Sequence, residues 1–386
     1  MDTSKFRTRQ EFIYDSNVPH RQQFIIGLDI GYSATKVFYE KGHFVIPSAV
    51  KKLGRAEMPS IPDAKDIFYR DPSTDEVYII GYSAQEMTES DETNNTESEL
   101  FSRNRYKQFD FRALAGVAIA IATQGIDAKS REVIIQTGLP SAYLQGDTNK
   151  LIDALSSPFS FDYRVGKTTN WTHCDFQIDK KNIFVMAQPQ GSLNSVLFTR
   201  EGGFAPKAKD IMTGSVLVMD IGFGTFDFDG YKNRKPVCQE SLDSIGMHAV
   251  MTKTSQLIQE QYELDIPTPA LQKYLKDGQI AYIDEEEMRS EYKSIAPLLQ
   301  EANKLVLKEA MNRIKTITNN FKDFQYLILG GGTGEAWLQD IKEWLKNMKT
   351  LTIISSNIND GLPCIYSNAR GYYYFRYVAM SRQKKE

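Results

Sequence analysis

Leu28-Asp29-Ile30-Gly31-Tyr32-Ser33-Ala34-Thr35-Lys36 recurs in outline as Met219-Asp220-Ile221-Gly222-Phe223-Gly224-Thr225-Phe226-Asp227, 191 positions further along a chain of 386 residues. Each stretch completes an apolar run that reads as a buried strand, residues 24–30 and 216–219. Each then places a carboxylate at the strand end, a glycine two residues on, and a second strand starting near Thr35 or Thr225. Strands joined so tightly are hairpins. A glycine in such a turn lets backbone N–H groups approach a phosphate with no Cβ in the way. The carboxylate at its base suits Mg²⁺ held through water. One Asp-x-Gly turn is a common hairpin device. Two copies, each opening one half of a chain, imply a pair of jaws around a polyphosphate.

Outward from these hairpins the chain reads as strands alternating with helices, the pattern of α/β layers. Residues 1–23 show no strand or helix periodicity and read as a mobile arm. A first half spans 24–212, with an irregular insert at about 51–105 holding one short strand, 77–80, and the acidic tract 89–97, read as a solvated loop. A helix is expected from 111 to 123 and a strand from 132 to 137. The second half spans 213–365, with a helical insert at about 250–320. Within it a long helix over 298–318 counts Leu305, Ile314 and Ile317 among its apolar positions. A strand at 326–329 runs into Gly330-Gly331-Gly332-Thr333-Gly334, either a flexible strand-to-helix turn or a backbone flat enough to take a nucleoside. No Gly-Lys-Ser/Thr follows, so it is not a P-loop. A helix over 337–348, a strand at 351–355 and a closing aromatic helix at 368–380 complete the reading, with 366–386 packing back on the first half.

Charge and cysteine content narrow the setting. Lys and Arg number 46 against 49 Asp and Glu, a net charge of −3, so nothing in the charge calls for direct nucleic-acid or membrane binding. Cys174, Cys238 and Cys364 are odd in number and far apart, and read as reduced thiols. No stretch reaches the roughly 20 apolar residues of a membrane span, and the polar start lacks a secretory h-region. The expected setting is cytoplasmic. His173 has no partners at metal-ligand spacing, and His248 reads as a packed structural residue. Residues 244–247 lead into a helix and read either as a plain helix start or as an N-terminal dipole offered to the phosphates or ribose, and the basic run 382–385 is read as a solvated tail.

The two hairpins and the triple glycine, in this order, resemble the actin, sugar-kinase and heat-shock-chaperone ATPase superfamily. The resemblance sharpens toward bacterial actin-like proteins of the ParM type. Supporting fragments are Phe44-Val45-Ile46-Pro47-Ser48, Tyr78-Ile79-Ile80-Gly81, Thr137-Gly138-Leu139-Pro140 and Tyr366-Ser367-Asn368-Ala369-Arg370-Gly371-Tyr372, so that it covers roughly residues 24–380. It implies an actin-like fold, two similar RNase-H-like halves around a nucleotide cleft, each with a smaller inserted subdomain. It implies a first phosphate loop containing Asp29, Gly31, Tyr32, Ser33, Ala34 and Lys36. The second would contain Asp220, Gly222, Phe223, Gly224 and Thr225, and the adenosine loop Gly330, Gly331, Gly332 and Thr333. Asp29 and Asp220 become the Mg²⁺ carboxylates, Lys36 a counter-charge to the phosphates, and ATP or GTP the nucleotide. Tyr32 and Phe223 depart from the pattern, since relatives carry small residues there.

In ParM-type proteins a polar residue just after a proline positions the attacking water. Gln188-Pro189-Gln190 stands at that place, which makes Gln190 the first candidate, Gln188 the second, and Asp220 the carboxylate that polarises the water or holds the metal. Phosphoryl transfer asks for an in-line water and charge neutralisation with little covalent help. The resemblance therefore implies an NTPase whose hydrolysis is coupled to a head-to-tail filament. It further implies plasmid DNA as cargo through a DNA-binding adaptor protein. The competing reading is a non-polymerising small-molecule kinase on the same fold.

Overall fold

The first hairpin forms as β2 (Gln23–Ile30) and β3 (Ala34–Tyr39), with Asp29 opposite Lys36. The structure is a computed structural model and describes residues 9–14, 23–54, 56–87, 104–126, 131–243, 245–275, 277–284 and 288–383. Around this hairpin a six-stranded sheet runs β1 (Glu11–Tyr14), β4 (Gly42–Pro47), β3, β2, β8 (Glu132–Leu139), β11 (Ile183–Ala187). Strand β2 is an unbroken apolar run because both its faces are covered, by α2 (Phe109–Thr123) and by the C-terminal helix α10 (Ser367–Gln383). Helix α2 is buried nearly all round, from Phe111 through Ala122 with Arg112 the exception, as its apolar composition requires.

The second hairpin forms as β12 (Ser215–Ile221) and β13 (Thr225–Lys232), with Asp220 opposite Asp227. Its sheet runs β14 (Lys235–Asp243), β13, β12, β17 (Tyr326–Gly330), β18 (Thr352–Ser355). In both sheets an antiparallel meander continues through two parallel strands, β4-β3-β2-β8-β11 in one and β14-β13-β12-β17-β18 in the other. The repeat seen in nine residues of sequence is thus a repeat of five strands.

Two helices join the halves, α4 (Gln188–Leu197) after β11, and α10. A hydrophobic cluster shared between the two sheets lies on them, with Ile25, Phe38 and Ile134 from one half, Val216, Val218 and Ile328 from the other, and Val196, Ala369 and Tyr373 between. The two helices cross at glycine. A Cβ on Gly371 would lie 1.8 Å from the Gly191 carbonyl oxygen, so only glycine permits this approach. Among the described residues no helix is long and apolar enough to cross a membrane.

Several expectations need correction. Residues 11–14, expected to lie in an arm without strand character, form β1, which pairs with β4 and packs Phe12 on Phe44 at 5.3 Å between centroids. Four residues are too few for alternation to be read. Arm residues 1–8 and 15–22, the acidic tract 89–97 and residues 384–386 lie outside the described residues. The insert at about 51–105 is also not self-contained. Its sheet runs β10 (Thr172–Phe176), β9 (Phe159–Val165), β6 (Ile67–Arg70), β7 (Val77–Ile80), β5 (Val50–Lys52), so two strands come from beyond the boundary. Helix α1 (Tyr82–Met87) packs on β5 and β7 of this sheet, whereas α3 (Leu144–Ser156) packs on β8 and β11 of the first.

In the second half the expected helical insert contains α6 (Met247–Tyr262), α7 (Thr268–Tyr274) and α8 (Ala296–Ile317), but also a hairpin of β15 (Gln279–Asp284) and β16 (Arg289–Ser294). On α8, Ile314 is buried while Leu305 and Ile317 are exposed, because the buried stripe instead takes Leu299, Ala302, Ala310 and Met311. Helix α5 (Ala208–Thr213) precedes β12, and α9 (Gly332–Trp344) starts five residues before the expected 337.

Candidate functional site

The two hairpin turns are built alike. The Gly31 N–H donates to the Ala34 carbonyl at 3.0 Å, and the Gly222 N–H to the Thr225 carbonyl at 2.9 Å. The glycine amides are therefore spent on closing the turns. The positions two residues on differ. Neither the Ser33 nor the Gly224 amide donates to a protein acceptor among the described residues. Gly31 has a second reason to lack a side chain, since its Cβ would lie 2.6 Å from the Lys36 ammonium, which rests over the turn.

Both strand-end carboxylates are buried, Asp29 and Asp220 each 4% exposed. Lys36 Nζ stands 3.2 Å from Asp29 Oδ2, and Gln188 Nε2 donates to Asp29 Oδ1 at 3.5 Å. Asp220 Oδ2 accepts from Asn368 Nδ2 at 2.7 Å, and Ser192 Oγ lies 3.4 Å from Asp220 Oδ1. Burial, with the negative charge of Asp29 added, pushes the Asp220 carboxyl up to about 6, against the opposing pull of Asn368, Lys36 and Ser192. Behind it on β13, burial drives Asp227 up to about 7, although it accepts hydrogen bonds from Ser241 and Thr225. Asp229, two residues on and therefore on the same face, is also raised by burial and accepts from Ser141, Tyr231 and Gln239.

The triple glycine carries β17 into α9 and packs directly on Asp220. A Cβ on Gly330 would lie 2.1 Å from Ser192 Oγ. One on Gly331, whose φ is +79°, would lie 2.3 Å from the Ile221 carbonyl oxygen and 3.0 Å from Asp220 Oδ1. Thr333 Oγ1 donates to the Gly222 carbonyl at 2.7 Å, tying this loop to the second hairpin turn.

All three elements meet at one cleft of about 1230 Å³, open solvent at its mouth included. Its lining includes Asp29, Gly31, Tyr32, Ser33, Ala34 and Lys36 from the first hairpin, Asp220 and Gly222 through Thr225 from the second, and Gly331 through Thr333. Gly330 and Gln190 are not part of the lining. Gln190 instead stands near the Tyr231 hydroxyl, whereas Gln188, placed second by sequence, lines the cleft beside Asp29. The proline between them lies in the first turn of α4, and two helical residues, about 200° of rotation, send the two amides to different sides.

Residues that the sequence reading missed include Arg105, Ser192 and Gln272. Ser192 stands four residues after Gln188, on the same face of α4. Asn368 was quoted only as part of a fragment. His248 lies beside Phe223 at 5.7 Å between centroids, and burial lowers its pKa. Ser244 lies outside the described residues, but Met247, which opens α6, lines the cleft. His173 Nδ1 pairs with Asp162 Oδ1 at 2.8 Å in the second sheet. No group of three His, Cys, Asp or Glu placed to hold a metal occurs among the described residues.

Residues 27–191 match the family model described as "Actin like proteins N terminal domain". A search of curated proteins finds no match to the sequence. Among solved structures, the chain is similar to a ParM filament from Clostridium botulinum, with 17% identity, TM-score 0.70, and 92% of this chain and 99% of that one covered. The actin-like protein Alp7A superposes with TM-score 0.63 at 15% identity over 94% of this chain and 98% of its own. Ta0583, an archaeal actin homologue in complex with ADP, does so with TM-score 0.59 at 16% identity over 93% and 100%. With two matching five-strand sheets joined by α4 and α10 around one cleft, the chain has an actin-like fold similar to that of ParM.

Proposed function

We propose that the chain binds a nucleoside triphosphate in this cleft, hydrolyses it, and couples hydrolysis to a head-to-tail filament. The observation that carries the reading is the pair of matched hairpin turns, each with a buried carboxylate at its base and an unengaged amide four residues on, opening onto one cleft. Similar proteins support the ligand and the assembly, since Ta0583 is described in complex with ADP and a ParM from Clostridium botulinum as a 15-stranded filament. The ligand would be ATP or GTP with Mg²⁺. Two buried carboxylates without a third ligand fit Mg²⁺, which keeps several waters and takes its remaining ligands from phosphates. The burial that raises Asp220 fits too, because a cation beside it would restore its charged form. When bound, Mg²⁺ would neutralise phosphate charge.

Within the chain, Lys36 would offset charge on the β- and γ-phosphates, and the Ser33 and Gly224 amides would donate to them. Gln188, beside Asp29, is better placed than Gln190 to orient a water in the cleft. Gly331 through Thr333 would carry the nucleoside. The moving bodies we propose are 24–212 and 213–365, with 366–386 returning to the first half. Movement of plasmid DNA through an adaptor protein rests on the family resemblance.

The test is sedimentation and light scattering with Mg²⁺ and ATP, GTP or their diphosphates, alongside phosphate release. Triphosphate should drive assembly, and Asp220→Ala should assemble while losing at least ~100-fold in hydrolysis. Absence of polymer under every nucleotide, with phosphate passed instead to a sugar or acyl acceptor, would establish the kinase reading.

A further inference from the structure

Two cations line the cleft, and they are not alike. Lys36 is paired with Asp29. Arg105 lies in the short turn before α2, is 7% exposed, and has no carboxylate in ion-pair distance among the described residues. Its Nη2 donates to the carbonyl of Ile30, the residue just before Gly31, while its Nε, like those of Arg131 and Arg164, is buried without a partner among the described residues. Elsewhere in the first half the buried Arg131 is matched by Glu40, and Arg70 by Asp162. A buried guanidinium left unpaired is costly. Here it is placed at the first phosphate turn.

The ring of Tyr32 explains how that guanidinium is held. Arg105 Cζ stands 4.7 Å from the Tyr32 ring centroid and 5.2 Å from that of Phe111. Stacked between aromatic faces and anchored on Ile30, the planar fork is pre-organised before any ligand arrives. We propose that Arg105 is the cleft's receptor for the terminal phosphate of a nucleoside triphosphate, and that Tyr32 is the residue that positions it. This rests on the nucleotide reading of the cleft and adds a residue and a discrimination to it. A guanidinium takes phosphate oxygens through parallel charge-assisted hydrogen bonds. A contact made only to the terminal phosphate separates triphosphate from diphosphate. It also accounts for a bulky tyrosine in a turn where small residues would suffice to bind phosphate.

The experiment is calorimetric titration of wild type, Arg105→Gln, Arg105→Lys and Tyr32→Leu with ATP, GTP, ADP and GDP in Mg²⁺, with a thermal melt of each protein. Wild type should bind one triphosphate more tightly than its diphosphate. Arg105→Gln should weaken the triphosphate ~10–100-fold and leave the diphosphate within about threefold. Arg105→Lys, which keeps charge without the fork, and Tyr32→Leu should fall between. A loss shared equally by both nucleotides, or no loss in either, would overturn the proposal while leaving the nucleotide reading intact. Wild type that binds none of the four would overturn the nucleotide reading itself. If Arg105→Gln melts below the assay temperature, the same ratio measured on Arg105→Lys decides.

Discussion

At the scale of single residues the second half concentrates buried acid. Asp220, Asp227 and Asp229 are all raised by burial, with Asp227 reaching about 7. A carboxyl raised in the folded state binds its proton more tightly there than in the unfolded chain. Its contribution is therefore fully present below about pH 4 and is lost as pH rises through about 7. The nucleotide-free protein should lose roughly 2–3 kcal/mol from Asp227 between pH 5 and 8. Asp227→Asn stays neutral and should remove that part of the slope, so that its melting temperature closes on wild type by ~3 °C across the range. Parallel curves for the two proteins would show that Asp227 does not titrate there. Legibility followed the same chemistry. The strand-end carboxylates, the turn glycines and Lys36 could be read because their spacing is local. Arg105 could not, because it reaches Ile30 from 75 positions away. Gln190 was preferred to Gln188 because a sequence does not display which side of a helix's first turn faces a cleft.

Among elements, the crossing of α4 and α10 sets the spacing of the two halves. It rests on contacts that allow no Cβ, with Gly371 against the Gly191 carbonyl and Gly191 against Tyr372. Gly371→Ala must push the helices apart, and overpacking of this kind costs about 1–3 kcal/mol. Chemical denaturation should read that loss, and hydrolysis should fall with it, since α4 carries Gln188 and Ser192 into the site. Gly203→Ala, whose Cβ would meet only Thr199 Oγ1 at 3.4 Å, is the control and should stay within about 0.5 kcal/mol. Equal stability of the two variants would remove the close crossing as a determinant. The long elements here were legible, because β2, α2, α8 and α10 each carry several turns or residues of consistent pattern. Strands β1, β5 and β6 were not, since three or four residues hold too little periodicity. The hairpin β15–β16 was hidden among helices because its strands expose most of their side chains.

Over the whole molecule the halves also touch across the cleft. Gln85 on α1 bonds Gln272 on α7, and elsewhere Ser141 bonds Asp229 at 2.7 Å and Tyr143 bonds Asp243 at 2.6 Å. A single part-buried amide bond contributes about 1 kcal/mol. Gln272→Ala should therefore enlarge the radius of gyration of the nucleotide-free protein in X-ray scattering, and saturating triphosphate should restore it. An unchanged profile without nucleotide would assign closure to the other contacts. The two-half plan was legible from one nine-residue repeat, whereas the second sheet was not, because β9 and β10 join β6 from nearly a hundred positions away. The glycine crossing has a mechanical corollary. Asp220, Ser192 and Asn368 sit at the fulcrum, where rotation displaces atoms least, while Gln85 and Gln272 sit at the rim, where it displaces them most. In the proposed nucleotide cycle, a small displacement at the phosphates would be geared up into a larger stroke at the outer edge, while the reacting atoms stay nearly still.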